Sequence, residues 1–158
     1  MSENIQLNRL DGFLKSKNAD YTIFRDDFSL ENAVDGAKHY GISLHETTPT
    51  FILIAKDKYY AAIISGNTRI SFKKLKQVLD VKDISMANPE TVLNLTGAKV
   101  GEVCLINCEL TTLIDQCVLN NINCYGGCGA PKSTLKINTH DLVRITNAQI
   151  FDFTDPRN

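Results

Sequence analysis

The sequence of 158 residues is long enough for one domain with a sizeable hydrophobic core and too short for two. Its 17 lysine and arginine residues balance 18 aspartate and glutamate residues, so no overall positive field favours DNA or an anionic membrane. The apolar runs are too short to span a bilayer and the first residues do not resemble a signal peptide, which predicts a cytoplasmic protein.

The first part of the chain predicts a helix, a strand and a second helix. Apolar residues recur at helical spacing within an N-terminal helix at residues 1–19. The segment YTIF that follows has the composition of a short strand. Ser29 is a suitable N-cap for the next helix, LENAVDGAKHY, and Gly41 is a suitable residue to end it.

The middle of the chain predicts a hairpin followed by a helix. TFILIAK and KYYAAIIS on either side of Asp57-Lys58 indicate two buried antiparallel strands at the centre of a sheet. GNTR at residues 66–69 is predicted to be a turn. Ser71 should cap the helix at 72–80, whose apolar side chains face inward and whose lysines face outward.

A second short helix has clear signals at both ends. Asn88 is a suitable N-cap, Pro89 suits the first helical position, and Gly97 suits the position that ends the helix. Later strands are predicted at EVCLI, CVLNN, INCY, STLKIN and AQIFDF, with a helix capped by Thr139 before the last of them. Few strands are separated by a helix long enough for a parallel crossover. We therefore predict a single α+β (α/β) domain with a mixed, curved central sheet flanked by helices.

Five cysteines lie between positions 104 and 128. An odd number without an export signal argues against a disulfide framework. The Cys104/Cys108 and Cys124/Cys128 spacings lie at the loose end of the zinc-ligand range. However, the first pair falls on a predicted strand, where residues four apart are separated by about 13 Å and cannot bind one ion. We expect buried free thiols and no metal or other cofactor.

The stretch GGCGAPKST resembles a Walker A phosphate-binding loop. Gly126, Lys132 and Ser133 have the spacing of that motif, with Pro131 in place of its second glycine. A Walker A loop leads directly into a helix, whereas the residues that follow here alternate like a strand and the next helix begins only at Thr139. The glycines are therefore predicted to allow a close backbone approach or a sharp bend.

Two ordered segments carry a resemblance to a known family. Residues 86–101 contain M-A-N-P-E, T-G and V-G, and residues 129–148 contain G-A-P-K-S-T-L-K-I, D-L and I-T-N-A. In this order they resemble the YbaK/prolyl-tRNA-editing (ProX-like) family, and the similarity extends from about Asp20 to Thr154. The resemblance implies a trans-acting hydrolase that removes Ala or Cys from tRNA(Pro) without a metal or a covalent intermediate. The implied partners are the tRNA acceptor end and prolyl-tRNA synthetase.

The resemblance also implies the residues of the site. In the family, a lysine before a buried strand and backbone N–H groups of a glycine loop position the ester. Thr50 stands where that lysine belongs, and Gly101 matches a loop glycine, so these two are the expected catalytic residues. The expected substrate-binding residues are Ala87, Glu102, Val103, Cys104, Gly127 and Gly129.

Several alternatives stay open at the level of sequence. Cys104 is either a nucleophile or a structural thiol, and the structural role is favoured because no histidine is placed to activate it. Positive side chains at and near the 72–80 helix either contact the tRNA backbone or form a solvated helix face. These are Arg69, Lys73, Lys74, Lys76 and Lys82. Finally, the absence of the family lysine favours a binding module without hydrolysis, whereas the retained loop glycine favours a deacylase.

Overall fold

The computed structural model describes residues 2–27, residue 30 and residues 32–157. Its α-helices are α1 (Ser2–Ser16), α2 (Ala33–Tyr40), α3 (Phe72–Leu79), α4 (Pro89–Thr96) and α5 (Thr139–Thr146). Its strands are β1 (Tyr21–Arg25), β2 (Thr50–Ala55), β3 (Lys58–Ile63), β4 (Thr68–Ile70), β5 (Ser85–Met86), β6 (Thr111–Asp115), β7 (Asn123–Gly126), β8 (Ser133–Asn138), β9 (Gln149–Phe151) and β10 (Thr154–Pro156). Two 3₁₀-helices span Leu44–Glu46 and Gln116–Asn120. None of the helices in the described ranges is both long and apolar enough to cross a membrane.

The central sheet is mixed, as predicted, with the strand order β5-β2-β3-β6-β9. β2 and β3 pair antiparallel with Thr50 opposite Ile63, which confirms the predicted hairpin. Lys56 and Asp57 form its turn with φ angles of 49° and 63°, the left-handed conformation that a two-residue hairpin turn requires. The turn therefore lies one residue earlier than predicted. β3, β6 and β9 pair in parallel.

Two smaller sheets contain the remaining strands. β8 lies between β1 and β7 in an antiparallel three-stranded sheet, and β4 pairs antiparallel with β10. The predicted GNTR turn is wrong in part, because residues 68–70 form β4. The predicted C-terminal strand AQIFDF is shorter than expected, because only β9 lies within it and joins the central sheet, and a further strand, β10, follows it and joins β4.

Helices cover both faces of the central sheet because alternate side chains of β2 point to opposite sides. Leu53 packs in one buried cluster with Leu75 of α3. Ile52 packs in another cluster with Val92 of α4. All four side chains are at most 3% exposed, so α3 and α4 are held by apolar burial. A third cluster joins α1, β8 and α5.

The caps of α3 and α4 are those that the sequence predicts. The Ser71 hydroxyl accepts a hydrogen bond from the Lys74 N–H at 3.2 Å. The Asn88 side chain accepts one from the Thr91 N–H at 2.8 Å, and Pro89 is the first helical residue. Gly97 ends α4 with a φ of 75°, which glycine adopts without steric cost.

The starts of α2 and α5 differ from prediction. α2 begins at Ala33, and the Asn32 side chain caps it by accepting a hydrogen bond from the Asp35 N–H at 2.9 Å. The predicted cap Ser29 lies outside the described residues, whereas Gly41 ends the helix as expected. In α5 the cap is Asn138 rather than Thr139, which is the first helical residue.

Two strand predictions in the cysteine-rich region are wrong. EVCLI forms a loop that makes only an isolated bridge, from Cys104 to Gly127. CVLNN falls largely in a 3₁₀-helix, because the Asp115 carboxylate accepts a hydrogen bond from the Cys117 N–H at 3.0 Å and starts a helical turn. The strand of this region is β6, at TTLID, which the sequence analysis did not identify.

The cysteines are free, but the geometric argument used against zinc does not hold. Cys104 and Cys108 lie in a loop rather than on a strand, so the 13 Å spacing expected for a strand does not apply to them. Within the described ranges, no group of three or more histidine, cysteine, aspartate or glutamate side chains could hold a metal ion.

Candidate functional site

A cavity of about 380 Å³ lies where three parts of the chain meet: the start of β2, the loop after α4, and the β7–β8 connection. Two isolated bridges join these parts, one from Thr47 to Tyr125 and one from Cys104 to Gly127. α2 closes a further side with Gly36 and Tyr40. The volume is in the range of about 300–1,000 Å³ that small-molecule sites occupy.

The structure brings together part of the predicted site. Five of the predicted residues line the cavity: Thr50, Gly101, Glu102, Val103 and Gly127. Ala87, Cys104 and Gly129 do not line it. The cavity is therefore formed by the first residue of β2, the loop after α4 and the glycine segment after β7.

Thr50 lines the cavity and carries a buried hydroxyl. The residue is 9% exposed, and its Oγ1 has no hydrogen-bond partner among the described residues. A buried hydroxyl without a partner costs about 1–3 kcal/mol, so such groups are rare in folded proteins. The Thr50 hydroxyl consequently keeps unused hydrogen-bonding capacity beside the cavity.

The loop after α4 carries two open backbone donors. The Glu102 N–H donates to the Lys99 carbonyl at 2.9 Å, whereas the N–H groups of Gly101 and Val103 find no acceptor in the described part of the chain. Gly101 has a φ of 91°, which disfavours any residue with a side chain. A Cβ there would meet no protein atom within 4 Å, so its conformation, not crowding by the protein, requires glycine.

The second glycine segment permits a close backbone approach, as predicted. A Cβ at Gly127 would overlap the carbonyl oxygen of Val103. The Leu105 N–H donates to the Gly127 carbonyl and the Gly129 N–H donates to the Glu102 carbonyl, both at 3.0 Å. These contacts fix the loop that carries the open donors. β8 follows the segment directly, which confirms that it is not a Walker A loop.

Two predicted residues outside the cavity, Ala87 and Gly129, contact residues next to its lining. The Ala87 N–H donates to the Ile52 carbonyl at 2.9 Å, and its side chain packs against the cluster that contains Ile52. Gly129 has a φ of 85°, and a Cβ there would lie 3.5 Å from the Cys104 Cβ. Ala87 thus contacts the backbone of β2 at Ile52, and Gly129 contacts the loop after α4.

Cys104 has the properties of a structural thiol. Burial raises the pKa of its thiol to about 12, so the thiol stays protonated at neutral pH. Its sulfur accepts a hydrogen bond from the Ile106 N–H at 3.3 Å, a contact within the loop. A nucleophilic cysteine requires the opposite shift, toward the thiolate.

A buried carboxylate lies on another side of the cavity. Asp26 follows β1, and its side chain is 10% exposed. Its Oδ2 accepts a hydrogen bond from the Tyr40 hydroxyl at 2.7 Å, and its Oδ1 lies 3.0 Å from the His39 Nε2. Burial, followed by the hydrogen bond to Asp26, raises the pKa of Tyr40 to about 12, so the hydroxyl remains a donor.

The positive side chains predicted to contact tRNA do not line the cavity. These are Arg69, Lys73, Lys74 and Lys76. The Lys74 ammonium group already forms ion pairs within the protein, because its Nζ lies 3.2 Å from carboxylate oxygens of both Asp152 and Asp155. Lys132 and Arg157 line the cavity instead, and both are exposed to solvent.

Sequence reasoning missed Asp26, Tyr40, Lys132 and Arg157 as cavity residues. A usable signal existed for two of them. Asp26 is a polar residue at the end of a predicted strand, where functional side chains often lie. Lys132 is a positive side chain in the glycine segment that resembles a Walker A loop, and it can bind phosphate without that motif.

Comparison with known proteins gives a family and a set of relatives. Residues 29–145 match the family model described as aminoacyl-tRNA editing domain. The proline–tRNA ligase of Caldicellulosiruptor bescii is 31% identical over 118 residues, which cover 75% of this chain and 20% of the ligase. The proline–tRNA ligase of Solidesulfovibrio magneticus is 32% identical over 110 residues, which cover 68% of this chain and 18% of the ligase. The match thus spans about a fifth of each ligase.

Solved structures share the fold over nearly the whole chain. The crystal structure of a candidate trans-editing enzyme for prolyl tRNA synthetase matches with a TM-score of 0.85 and 21% identity, over 95% of this chain and 97% of that chain. The crystal structure of a hypothetical protein matches with a TM-score of 0.85 and 23% identity, over 92% of this chain and 99% of that chain.

Proposed function

Because the chain belongs to the aminoacyl-tRNA editing domain family, we propose that it is a trans-acting deacylase that hydrolyses the ester of mischarged aminoacyl-tRNA. One observation carries the proposal. The unpartnered hydroxyl of Thr50 lines the same cavity as Gly101 and Val103, whose backbone N–H groups find no acceptor within the described residues. Two free N–H groups can stabilise the oxyanion that forms during ester hydrolysis, and a hydroxyl can orient the attacking water.

In the proposed reaction, the carbonyl oxygen of the ester accepts hydrogen bonds from the loop N–H groups. The Thr50 hydroxyl orients a water molecule, whose oxygen forms a bond to the carbonyl carbon. The bond between that carbon and the ribose oxygen then breaks. The proton lost by the water passes to the ribose oxygen, so the products are a free amino acid and a tRNA with a free terminal hydroxyl. Fixed N–H donors of this kind contribute about a hundredfold in rate.

We assign the terminal phosphate of the tRNA to Lys132 and Arg157. Both are positively charged, both are exposed, and both lie at the cavity. Lys132 has a φ of 56°, and its carbonyl accepts a hydrogen bond from the Asp26 N–H at 2.8 Å, which fixes the backbone from which its side chain projects. This assignment replaces the lysines of α3 as the first contacts of the acceptor end.

For the substrate, we propose Ala or Cys esterified to tRNA(Pro). The support is that both relatives described above are proline–tRNA ligases. Prolyl-tRNA synthetase is then the enzyme whose errors the protein corrects, in the cytoplasm where tRNA is charged.

A second candidate function is a binding module that holds aminoacyl-tRNA without hydrolysing it. Thr50 favours this alternative, because the resemblance implies a lysine at its position. A threonine hydroxyl carries no charge and cannot replace the electrostatic effect of an ammonium group.

Deacylation of a panel of mischarged tRNAs by the purified protein tests the proposal. Wild type should release alanine or cysteine from tRNA(Pro) faster than the uncatalysed reaction, and Gly101→Ala should lower the rate about a hundredfold. Gly97→Ala is the matched control. Gly97 has a φ of 75° and is exposed like Gly101, but it does not line the cavity.

The two glycine variants separate strain from catalysis. Each should lose about 1–2 kcal/mol of stability, because each forces a side chain into the left-handed region. An equal loss of activity in both variants would show that the Gly101 N–H has no specific role in catalysis. Binding of every aminoacyl-tRNA without release of any amino acid would favour the binding module, and Thr50→Lys would then show whether an ammonium group restores hydrolysis.

A further inference from the structure

The proposed reaction uses one side of the cavity and leaves the Asp26 carboxylate without a role. A carboxylate offers about four acceptor positions. Two are occupied, one by the Tyr40 hydroxyl at 2.7 Å and one by the His39 Nε2 at 3.0 Å. The carboxylate therefore retains acceptor positions for a ligand that donates hydrogen bonds.

Lys132 and Arg157 line the same cavity, but neither forms an ion pair with this carboxylate. Within the described ranges its ion-pair partner is His39, which is positive only when it is protonated. No lysine or arginine side chain within 4.0 Å of Asp26 is found there. A buried negative charge in this state favours a ligand with a positive charge.

Aromatic rings beside the carboxylate favour the same kind of ligand. Tyr40 and Tyr125 line the cavity, and their ring centroids are 5.7 Å apart. Ring faces attract cations, and that attraction is strongest where water is partly excluded. The Lys136 Nζ already lies 5.9 Å from the Tyr125 ring centroid, so this ring attracts a cation within the protein itself, and the carboxylate and the rings together favour a small cation.

We propose that Asp26, with the rings of Tyr40 and Tyr125, binds the α-ammonium group of the aminoacyl ester and makes a free α-amino group a requirement for the substrate. The inference rests on the proposed function, since the ammonium group is adjacent to the carbonyl that the loop N–H groups would hold. Thr50, whose hydroxyl has no partner among the described residues, lines the same cavity and places a second polar group beside it.

This subsite defines a substrate class. The subsite requires that the aminoacyl ester carry a charged α-ammonium group. Esters that are acylated on nitrogen lose the charge, and hydroxy acid esters replace the ammonium by a neutral hydroxyl, so both bind poorly. Peptidyl-tRNA and formylated initiator tRNA would accordingly escape hydrolysis, which keeps the deacylase away from chains in synthesis.

Two non-hydrolysable probes test the subsite directly. They are adenosine analogues in which the terminal ribose carries alanine or lactic acid through an amide. They differ only in the α-substituent, ammonium or hydroxyl. Calorimetry should show that wild type binds the alanyl analogue about tenfold to a hundredfold more tightly, the effect of a hydrogen bond between charged groups. Asp26→Asn should bind both analogues with similar affinity.

Asp27→Asn is the matched control, because Asp27 is exposed, adjacent in sequence and absent from the cavity lining. It should retain the wild-type preference. Equal binding of the two analogues by wild type would overturn the inference without any variant, even if Asp26→Asn failed to fold. Retention of the preference in a folded Asp26→Asn would also overturn it.

Hydrolysis assays distinguish this failure from failure of the proposed function. If wild type deacylates alanyl-tRNA(Pro) and lactyl-tRNA(Pro) equally well, the deacylase stands and the ammonium subsite is wrong. If wild type hydrolyses no mischarged tRNA but prefers the alanyl analogue, the subsite stands and belongs to a binding module. If it neither hydrolyses nor binds, both are wrong.

Discussion

Replacing Thr50 with valine should stabilise the protein and slow its reaction. Valine has nearly the shape of threonine and favours strands, so β2 should be unchanged. The Thr50 hydroxyl is buried without a partner among the described residues, and removing such a group gains up to about 1–3 kcal/mol. Water in the cavity can satisfy the hydroxyl in part, so we expect about 1 kcal/mol, which for a protein of this size raises Tm by about 2–4 °C.

The same change should cost activity, because the hydroxyl is proposed to orient the attacking water. A neutral hydrogen bond contributes about 0.5–1.5 kcal/mol, which corresponds to a rate lowered about threefold to tenfold. Urea denaturation gives the stability and release of labelled alanine from tRNA(Pro) gives the rate. Both are measured on the same preparation.

Thr112→Val provides the control for the Thr50 prediction. The Thr112 hydroxyl is also buried without a partner in the described part of the chain, and the residue is 2% exposed in β6. It does not line the cavity. Thr112→Val should therefore stabilise at least as much as Thr50→Val and leave the rate unchanged. The reasoning fails if Thr50→Val is destabilising, or if the two variants affect the rate alike.

Three further changes have defined outcomes. Gly127→Ala should lower stability by about 1–3 kcal/mol in urea denaturation, since its Cβ overlaps the Val103 carbonyl, whereas Gly12→Ala, in open space on α1, should raise it. Lys132→Ala should raise the KM for charged tRNA, and the increase should be smaller at high salt. Lys73→Ala should leave this KM unchanged. The reverse result would place the tRNA contact on α3 instead. The free energy of unfolding should fall as pH rises above about 9. Burial raises the pKa of the Cys128 thiol from 9.0 to about 12, so between these values this thiol ionises in the unfolded chain but not in the folded one. A free energy of unfolding that stays constant from about pH 8 to about pH 10.5 under reducing conditions would contradict this.

The sequence predicted best where structure is determined locally. The caps of α4, Asn88 and Gly97, act on backbone groups within the same turn, so three or four letters suffice to identify them. The β2–β3 hairpin is similar, because its strands are adjacent and apolar. Only the position of its turn was missed, since Lys56 and Asp57 adopt positive φ without the glycine or asparagine that normally signals it.

Prediction failed where a distant partner decides the conformation. EVCLI has the composition of a strand, but Gly101 turns the chain, and the backbone of the 127–129 segment then takes its hydrogen bonds. TTLID is a weaker strand by composition, yet it pairs in parallel with both β3 and β9 and is buried between them. Asp115, the last residue of that strand, also accepts a hydrogen bond from the Phe153 N–H at 2.8 Å, a contact that no local pattern reveals.

The dependence on distant partners also explains which residues of the candidate site could be predicted from the sequence. Thr50 and Gly101 were predicted from the family resemblance, and both line the cavity. Asp26 and Arg157 reach the cavity only because β1 joins β8 and β10 joins β4. Both pairings connect segments that are far apart in the sequence.

The unpartnered hydroxyls differ in their relation to the cavity. Three buried hydroxyls among the described residues have no hydrogen-bond partner, those of Thr50, Ser65 and Thr112, and of these only Thr50 lines the cavity. For Ser65 and Thr112 the missing bond is simply a cost to folding. At Thr50 the unused hydrogen-bonding capacity lies beside the cavity, so a bond to a ligand there would recover what folding loses. A site that gains this bond only when occupied favours binding over the empty state, which is the behaviour expected of a residue kept for its substrate rather than for the stability of β2.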